Sequence, residues 1–529
     1  MDPTTPDLSV TGNNSAQMAE FAGRGDPGSF PALKEKEMEA TRRNVLRVLA
    51  VGAGVAGAAA ISPAALATYG DKAALREPMP GRGPQPDPGW LTGRLVFPDD
   101  ADYDEARLGW NRQFNPYPLV IVFCQNSQDV INAITWCRRH DVAFRARGGR
   151  HALEGWSAVD GGVIIDVSEM QAVELDTHAR QATVQTGATQ DQVVAVLGEQ
   201  GFAVPTGAEV GVGVAGVTLG GGIGQLSRSL GVTSDSLIGL DIVVPEGERG
   251  AQLIHADETR HADLLWASRG GGGGNFGIAT KYTYSIHPVS DVVVYQITWD
   301  DWQHVGELFE RWQRIAPFAD DGFGSVFNPK TRADGHIYCN GIYRGSEYRL
   351  REIIRPLVEV GNPQVSTETT SYLDAWNQLA GTTDTPRKTH IPSSWAYELL
   401  PKKGIDTIIR YLAELPDLGG EVWCLNWGGA VNRIPTDATA FYHRSPKYYL
   451  EWSGNWENDE EQKTVLSWTE RFRQALLPYV SGSYVNVPDS SIGDWATAYY
   501  GDNYPRLRAI KTKYDPYEFF QYEQSIRPH

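Results

Sequence analysis

RARGGRHALEGWSAVDGGVIID, residues Arg145–Asp166, sets His151 between a pair of glycines and an apolar run. Gly148 and Gly149 let the backbone turn where a β-carbon would clash, and let it approach a flat or phosphorylated ligand closely. Gly155 follows four residues after the histidine, and Val163-Ile164-Ile165 reads as a short buried strand. The residues alone describe a glycine-lined pocket with one imidazole fixed in its wall. That imidazole is open to three readings: a nucleophile, a ligand, or a polar group satisfied inside the core.

Working outward, the chain alternates strands and helices. Pro118–Phe123 reads as a strand and Asp129–Arg139 as an amphipathic helix with Val130, Ile131, Ile134 and Cys137 inward. Ala143–Arg147 is a second strand that delivers the glycine turn. Ala172–Leu175 and Gln181–Val184 follow as paired strands, then a helix at Gln190–Glu199. No GxGxxG opens a helix after the first strand, so this is not a Rossmann unit. PTGAEVGVGVAGVTLGGGIG, Pro205–Gly224, holds too many glycines for a stable helix interior. Its interleaved Val and Ile argue against a flexible linker, and its glycines suit the presentation of backbone N–H groups to an anion. In Asp263–Thr280 a short helix breaks into Gly270–Gly274 and resumes as a strand.

Beyond Val292 the pattern changes to long strands and amphipathic helices. Helices are expected at Asp301–Arg314, Arg349–Val360, Ile405–Leu415 and Glu461–Tyr479, and strands at Gly335–Tyr343, Gly420–Trp427 and Tyr448–Ser453. That is an antiparallel sheet backed by helices. Most of the tryptophans here are expected in the core, with one or two lining a pocket. The fold class read from the whole is α+β, with domains at 100–287 and 288–487 and a closing segment at 488–529.

The chain ends and the composition narrow the function. Thr41-Arg42-Arg43, the Ala/Gly-rich run Val48–Ala67 and the small-residue site Ala65-Leu66-Ala67 form a twin-arginine signal peptide over 1–67. Export to the periplasm or beyond is therefore expected, with no stable membrane association after cleavage. Residues 68–99 are a Pro/Gly-rich linker. The net charge of −18 repels phosphate and argues against nucleic acid or an anionic membrane as partner. Cys124, Cys137, Cys339 and Cys424 have no metal-like spacing and read as free buried thiols. No HxxxH or Cys/His cluster indicates a metal site.

The motifs together resemble the berberine-bridge-enzyme-like FAD-linked oxidases of the vanillyl-alcohol-oxidase superfamily. Arg147, Gly148, Gly149, His151 and Gly155 match that family's flavin-attachment segment, and Arg150 is the departure within it. The resemblance implies a two-part FAD-binding domain at 100–287, a substrate domain at 288–487 and a segment at 488–529 that returns to the first, with the FAD held by a covalent bond from His151 to the flavin 8α-methyl carbon. It also implies cofactor contacts from Arg150, from Gly207, Gly211, Gly213, Gly216, Gly221 and Gly222, and from the backbone at Gly277 and Ile278. Relatives often carry a second-link cysteine where this chain has Glu209. A carboxylate cannot form that thioether, so attachment through His151 alone is expected. Val212 falls at the position where valine is associated with oxygen access, which favours an oxidase.

Further matches carry the implied chemistry. Tyr484 and Asn486 match a Tyr-x-Asn whose tyrosine lies near flavin N5. Trp423–Arg444 resembles a strand running over the flavin, which makes Asn426 a candidate side chain there. Ala498–Leu507 matches the closing signature, which implies Tyr500 and Asn503 at the flavin. The expected reaction takes a proton from a substrate hydroxyl to Tyr484 while a hydride moves to N5, with O2 then reduced to hydrogen peroxide. A phenol near pKa ~10 needs neighbours that lower it, and Arg145, Arg147 or Lys388 are the candidates. Family substrates are sugars, alkaloids and polyketide alcohols, and nothing in the sequence selects among these small molecules. A dehydrogenase with another acceptor and a flavin-bearing binding protein without turnover remain alternatives.

Overall fold

Three β-sheets carry the architecture of this computed structural model, which describes residues 90–207, 209–380 and 385–529. The expected signal segment 1–67 and most of the linker 68–99 lie outside the described residues. The first sheet orders β1 (Arg94–Val96), β2 (Val120–Phe123), β3 (Phe144–Arg147) and β4 (Val163–Asp166) as β1-β2-β4-β3. β2, β4 and β3 are parallel, and the continuous apolar run in β4 suits a strand buried on both faces. The crossover from β2 to β3 is α1 (Ser127–His140). Asn126 starts α1 by accepting the Gln128 and Asp129 N–H groups, a cap that contributes ~1 kcal/mol. Its buried face holds Val130, Ile134 and Cys137 as the periodicity required, and Trp136 as well.

The second sheet is antiparallel throughout. It comprises β5 (Val173–Asp176), β6 (Gln181–Gln185), β7 (Leu237–Glu246), β8 (Gly250–Asp257) and β9 (Ile278–Ser285), in the order β5-β6-β9-β7-β8. Three helices border it: α2 (Gln190–Gly198), α3 (Val214–Leu219) and α4 (Ala262–Ser268). α3 corrects the sequence reading, which excluded a helix from the glycine-rich stretch. Its six residues contain one glycine, Gly216, and the glycines that break helices sit outside it at Gly213 and Gly220.

The third sheet has eight strands and forms the wall on which substrate chemistry is expected. They are β10 (Val292–Trp299), β11 (Val326–Pro329), β12 (Ile337–Tyr343), β13 (Gln364–Thr370), β14 (Lys388–His390), β15 (Ser393–Ala396), β16 (Glu421–Asn426) and β17 (Tyr448–Trp456). The order is β13-β10-β12-β11-β16-β17-β14, with β15 also paired to β17. Helices α5 (Val305–Ile315), α6 (Glu347–Val358), α7 (Lys402–Glu414) and α8 (Asp459–Leu476) cover one face. Trp299, Trp312, Trp452 and Trp468 are buried in that layer, where removing one such indole costs ~3–5 kcal/mol. The opposite face is also buried, under Trp395, Trp427, Phe441 and Tyr484.

The tail returns to the first half through α9 (Tyr504–Tyr514). Lys511 is fully buried and fixes this return by pairing with Asp515 at 2.7 Å and donating to the Asn275 and Phe520 carbonyls. All four cysteines are buried thiols. Among the described residues no helix is long and apolar enough to cross a membrane. The antiparallel and mixed sheets with their helices make the chain α+β, as the sequence required.

Candidate flavin site and active site

Because β3 and β4 are parallel, the chain leaving Arg147 must cross back before entering Val163. Residues 148–162 make that crossing at the carboxyl ends of the strands, the side on which open α/β sheets bind ligands. His151 stands in this loop, stacked on Trp110 at 5.2 Å between ring centres. A β-carbon on Gly149 would lie 2.2 Å from the Gly213 nitrogen, so the two glycine stretches touch backbone to backbone. Arg150 has φ +64°, a left-handed conformation that costs a side chain-bearing residue ~1–2 kcal/mol. The departure from the glycine pattern at this position is thus a strained one.

A cleft with about 1400 Å³ of free space, its open mouth included, opens along this loop. Arg147, Gly148, Gly149, Arg150 and His151 form one wall, and Val212, Gly213 and Gly216 a second. Gly277 and Ile278 contribute from the start of β9, and Val485 and Asn486 close one end. The residues fit an FAD. Arg147 is buried and held by Asp166 at 2.5 Å, yet its Nη2 has no hydrogen-bond partner among the described residues. A buried guanidinium donor left over in a glycine-lined cleft suits an anionic oxygen, as a pyrophosphate provides. Trp156, stacked on Tyr522 at 5.1 Å, adds a flat aromatic surface to the same wall.

Other expected cofactor contacts have framework roles. The Gly207 carbonyl accepts Trp376 Nε1 at 2.9 Å, and the Gly211 N–H donates to Asp191 at 3.0 Å. Gly221 and Gly222 take φ values of +124° and +77°, which turn the chain beneath Phe441. Tyr500 and Asn503 do not line the cleft. The Tyr500 hydroxyl donates to the Gly271 carbonyl at 2.9 Å, and Asn503 Nδ2 donates to the carbonyls of Thr436 and Thr439 at 2.7 and 3.2 Å. They brace the polyglycine turn and the loop after β16, one layer behind the cofactor surface.

Tyr484 is buried next to Val485 and Asn486, the residues that close the cleft, and its oxygen accepts the Gly222 N–H at 2.8 Å and Asn486 Nδ2 at 2.9 Å. Two donors would stabilise a phenolate, but burial dominates and pushes the phenol pKa up, with the charge of Glu451 adding to the rise. The expectation that Arg145, Arg147 or Lys388 lowers it is therefore corrected; Lys388 donates instead to the Glu457 carbonyl at 2.8 Å. Tyr484 is a neutral phenol at neutral pH.

Asn426 is the second correction. Its side chain donates to the Ala316 and Phe323 carbonyls at 2.9 and 2.8 Å and accepts the Ser325 N–H at 2.9 Å. Those partners lie on the helix-covered side of the sheet, so the amide is a structural clamp. Side chains alternate along a strand, and the residues of β16 on the opposite face are Trp423 and Leu425. Their register partners in β17 are Glu451 and Tyr449.

Glu451 is the functional candidate that sequence reasoning missed. Its carboxyl accepts the Tyr449 hydroxyl at 2.6 Å, and the Tyr449 and Tyr484 rings are 5.9 Å apart. Burial pushes its pKa up to about 8, against the hydrogen bond from Tyr449 and with help from Glu421 and Glu209. Glu209 itself is exposed, on the loop before Val212. A signal was present: Glu451 is the one charged residue in YYLEWSGNW, on the face it shares with Tyr449, Ser453 and Asn455. His443 completes the surroundings, stacked on Trp395 at 5.0 Å, its pKa lowered by burial to about 4. It is neutral, accepting from the Tyr397 hydroxyl and donating to the Ala498 carbonyl.

Comparison with known proteins agrees with this geometry. Residues 118–249 match the family model for an FAD binding domain, and residues 483–527 match that for berberine and berberine-like proteins. The chain is 42% identical over 447 residues to the FAD-linked oxidoreductase YvdP of Bacillus subtilis, which spans 83% of this chain and 98% of YvdP. It is 28% identical to aclacinomycin-N/aclacinomycin-A oxidase of Streptomyces galilaeus, over 82% of this chain and 90% of that protein. The solved structure of BBE-like 1 from Physcomitrella patens superposes with a TM-score of 0.77 at 26% identity, over 82% of this chain and 97% of that one.

Proposed function

The chain belongs to the berberine-bridge-enzyme-like FAD-linked oxidoreductases, and from that premise we propose that it is an exported oxidase converting an alcohol to a carbonyl. The substrate is a sugar or a secondary-metabolite hydroxyl, the acceptor is O2, and the product is hydrogen peroxide. The chemistry that FAD supplies when bound is acceptance of a hydride from the substrate carbon and return of two electrons to oxygen. His151 is the attachment point and the sole one, since Glu209 carries no thiol.

The chain's own residues handle the proton. Tyr484, its oxygen fixed by Gly222 and Asn486, orients the substrate hydroxyl at the end of the cleft. Glu451 takes up the hydroxyl proton: its carboxyl titrates near neutral pH and faces Tyr484 by way of Tyr449. Val212 in the cleft wall leaves room for O2. The observation that carries this reading is the half-buried Glu451 carboxyl, its pKa pushed up to about 8, beside a tyrosine fixed by the cofactor loop. The aclacinomycin oxidase supports oxidase chemistry by its activity, and the Arg42-Arg43 signal supports export.

The test is peroxide detection across a panel of sugars and alcohols, with acid precipitation of the same sample. Peroxide together with yellow colour in the pellet is expected. Reduced protein that stays reduced in air would instead indicate a dehydrogenase, and an absence of turnover on every alcohol would indicate a binding protein. Fractionation of cells producing the Arg42→Lys/Arg43→Lys variant tests export: the protein should be retained in the cytoplasm.

A further inference from the structure

Three ligand-type side chains converge at the cleft wall, which Glu154 itself lines. Glu154 follows His151 by three residues, His390 ends β14, and Asp489 follows Asn486 by three. All are buried, and one donor atom from each lies within 4.8 Å of the other two. They come from three separate segments: the His151 loop, the large sheet and the returning tail.

Hydrogen bonds around the cluster orient these atoms inward. His390 Nδ1 is 2.8 Å from Thr469 Oγ1, and that hydroxyl donates onward to the Leu466 carbonyl at 3.1 Å. The hydroxyl therefore accepts the Nδ1–H, which turns the other ring nitrogen, Nε2, toward Asp489 Oδ1 at 3.8 Å. Asp489 Oδ1 accepts the Ser491 N–H at 2.8 Å, and the Glu154 carboxyl is hydrogen-bonded by Ser490. Asp489 Oδ2, in a residue with no exposed surface, has no hydrogen-bond partner among the described residues. The nearest cation is Arg473, 3.8 Å from that oxygen, but its guanidinium already binds Glu470 through two bonds of 2.9 Å. The cluster thus gathers one imidazole and two carboxyl groups, all buried, with one carboxyl oxygen left without a hydrogen-bond partner among the described residues.

We propose that Glu154, His390 and Asp489 bind one divalent transition-metal ion of the zinc or manganese type. Atoms spaced this way reach a common centre at bonds of roughly 2.0–2.6 Å after small side-chain adjustments. The imidazole nitrogen favours a first-row transition metal over calcium or magnesium. Thr469, Ser490 and Ser491 supply the outer hydrogen bonds that fix such ligands. The ion clips the loop carrying His151 to the large sheet and to the tail, so its role is structural. Spacing in the sequence indicated no metal site because the ligands are far apart in the chain.

Full-length untagged protein, flavin included, is produced in medium containing Zn²⁺ and Mn²⁺, purified without chelator and analysed by inductively coupled plasma mass spectrometry. The wild type should carry about one equivalent, and His390→Gln and Asp489→Asn less than about a tenth of that. Stripping the wild type with dipicolinate should lower Tm by several degrees, restored by Zn²⁺ or Mn²⁺ and not by Mg²⁺. Metal below about 0.1 equivalent in the wild type, or equal content in all three proteins, overturns the proposal. If the variants do not fold, the chelation arm decides: an unchanged Tm after the metal is removed overturns it. Flavin absorbance of the same samples reports the cofactor site independently, so loss of one reading is distinguishable from loss of the other.

Discussion

Replacing Glu451 with glutamine removes the one carboxyl beside Tyr484 while keeping its size and its ability to accept the Tyr449 hydroxyl, a bond of 2.6 Å. With a carboxyl near pKa 8, about one molecule in a hundred is ionised at pH 6 and half at pH 8. The wild-type kcat/KM should therefore rise about 50-fold between those pH values and level off above them. Glutamine accepts no proton, so E451Q should lose about 10²–10⁴ in kcat and lose that pH dependence too. Stability should move the other way. A folded-state pKa raised above the unfolded 4.5 means that the native state holds the proton more tightly, so its contribution is fully present below pH 4.5 and is lost as pH rises through 8. The gap caps the loss at about 5 kcal/mol. Wild-type Tm should thus fall from pH 5 to pH 9 relative to E451Q, while wild-type activity climbs. Stopped-flow reduction of the holoenzyme and differential scanning fluorimetry across pH measure the two. If E451Q keeps more than about a fifth of the wild-type rate at pH 8, with the same pH profile, the proton acceptor lies elsewhere.

Three further substitutions test the frame around that site. His151→Ala should yield protein whose yellow colour stays in solution on acid precipitation, while the stack of the ring on Trp110 is given up. Arg150→Gly should raise unfolding free energy by about 0.5–1.5 kcal/mol in urea, because glycine accepts φ +64° without strain while only one weak contact over Phe123 is lost. Lys511→Met should cost about 3–5 kcal/mol by leaving Asp515 charged and buried, and adding Asp515→Asn should recover part of it.

The parts of this molecule that were legible in the sequence share a physical cause: local geometry forces them. Helix α1 follows from its apolar period and its Asn126 cap, and the turn at Gly148-Gly149 follows from a close approach that only glycine permits. The alternation of strands likewise gave the antiparallel sheet. What was not legible is set by burial on two sides. In β16 both faces are covered, so period-2 alternation gives no indication which of Cys424/Asn426 or Trp423/Leu425 meets the cofactor half, and Asn426 falls on the wrong one. Tyr500 and Asn503 were misplaced for a related reason: a motif match reports that a residue matters, not whether it touches the ligand or the loop behind it.

The depth at which Glu451 sits also connects the two halves of the site. Tyr484 belongs to the segment that closes over the large sheet, yet one of its two hydrogen-bond donors is the Gly222 N–H, supplied by the glycine loop of the cofactor half. A β-carbon on Gly220 would fall 1.9 Å from the Asn486 side chain, so the loop and the Tyr-x-Asn segment are in contact at two points two residues apart. Any shift of the cofactor loop therefore moves the tyrosine oxygen, and with it the hydroxyl that Tyr484 orients toward Glu451. The strand that carries Glu451 is fixed independently, through Trp423, Leu425 and the helix layer beneath. Reaction geometry on this reading is set by one rigid sheet and one glycine loop meeting at a single phenol, and Gly220→Ala should depress kcat without touching any ionisable group. A Gly220→Ala variant with unchanged kcat would show that the loop has slack to absorb the clash, and the coupling between the halves would have to run by another route.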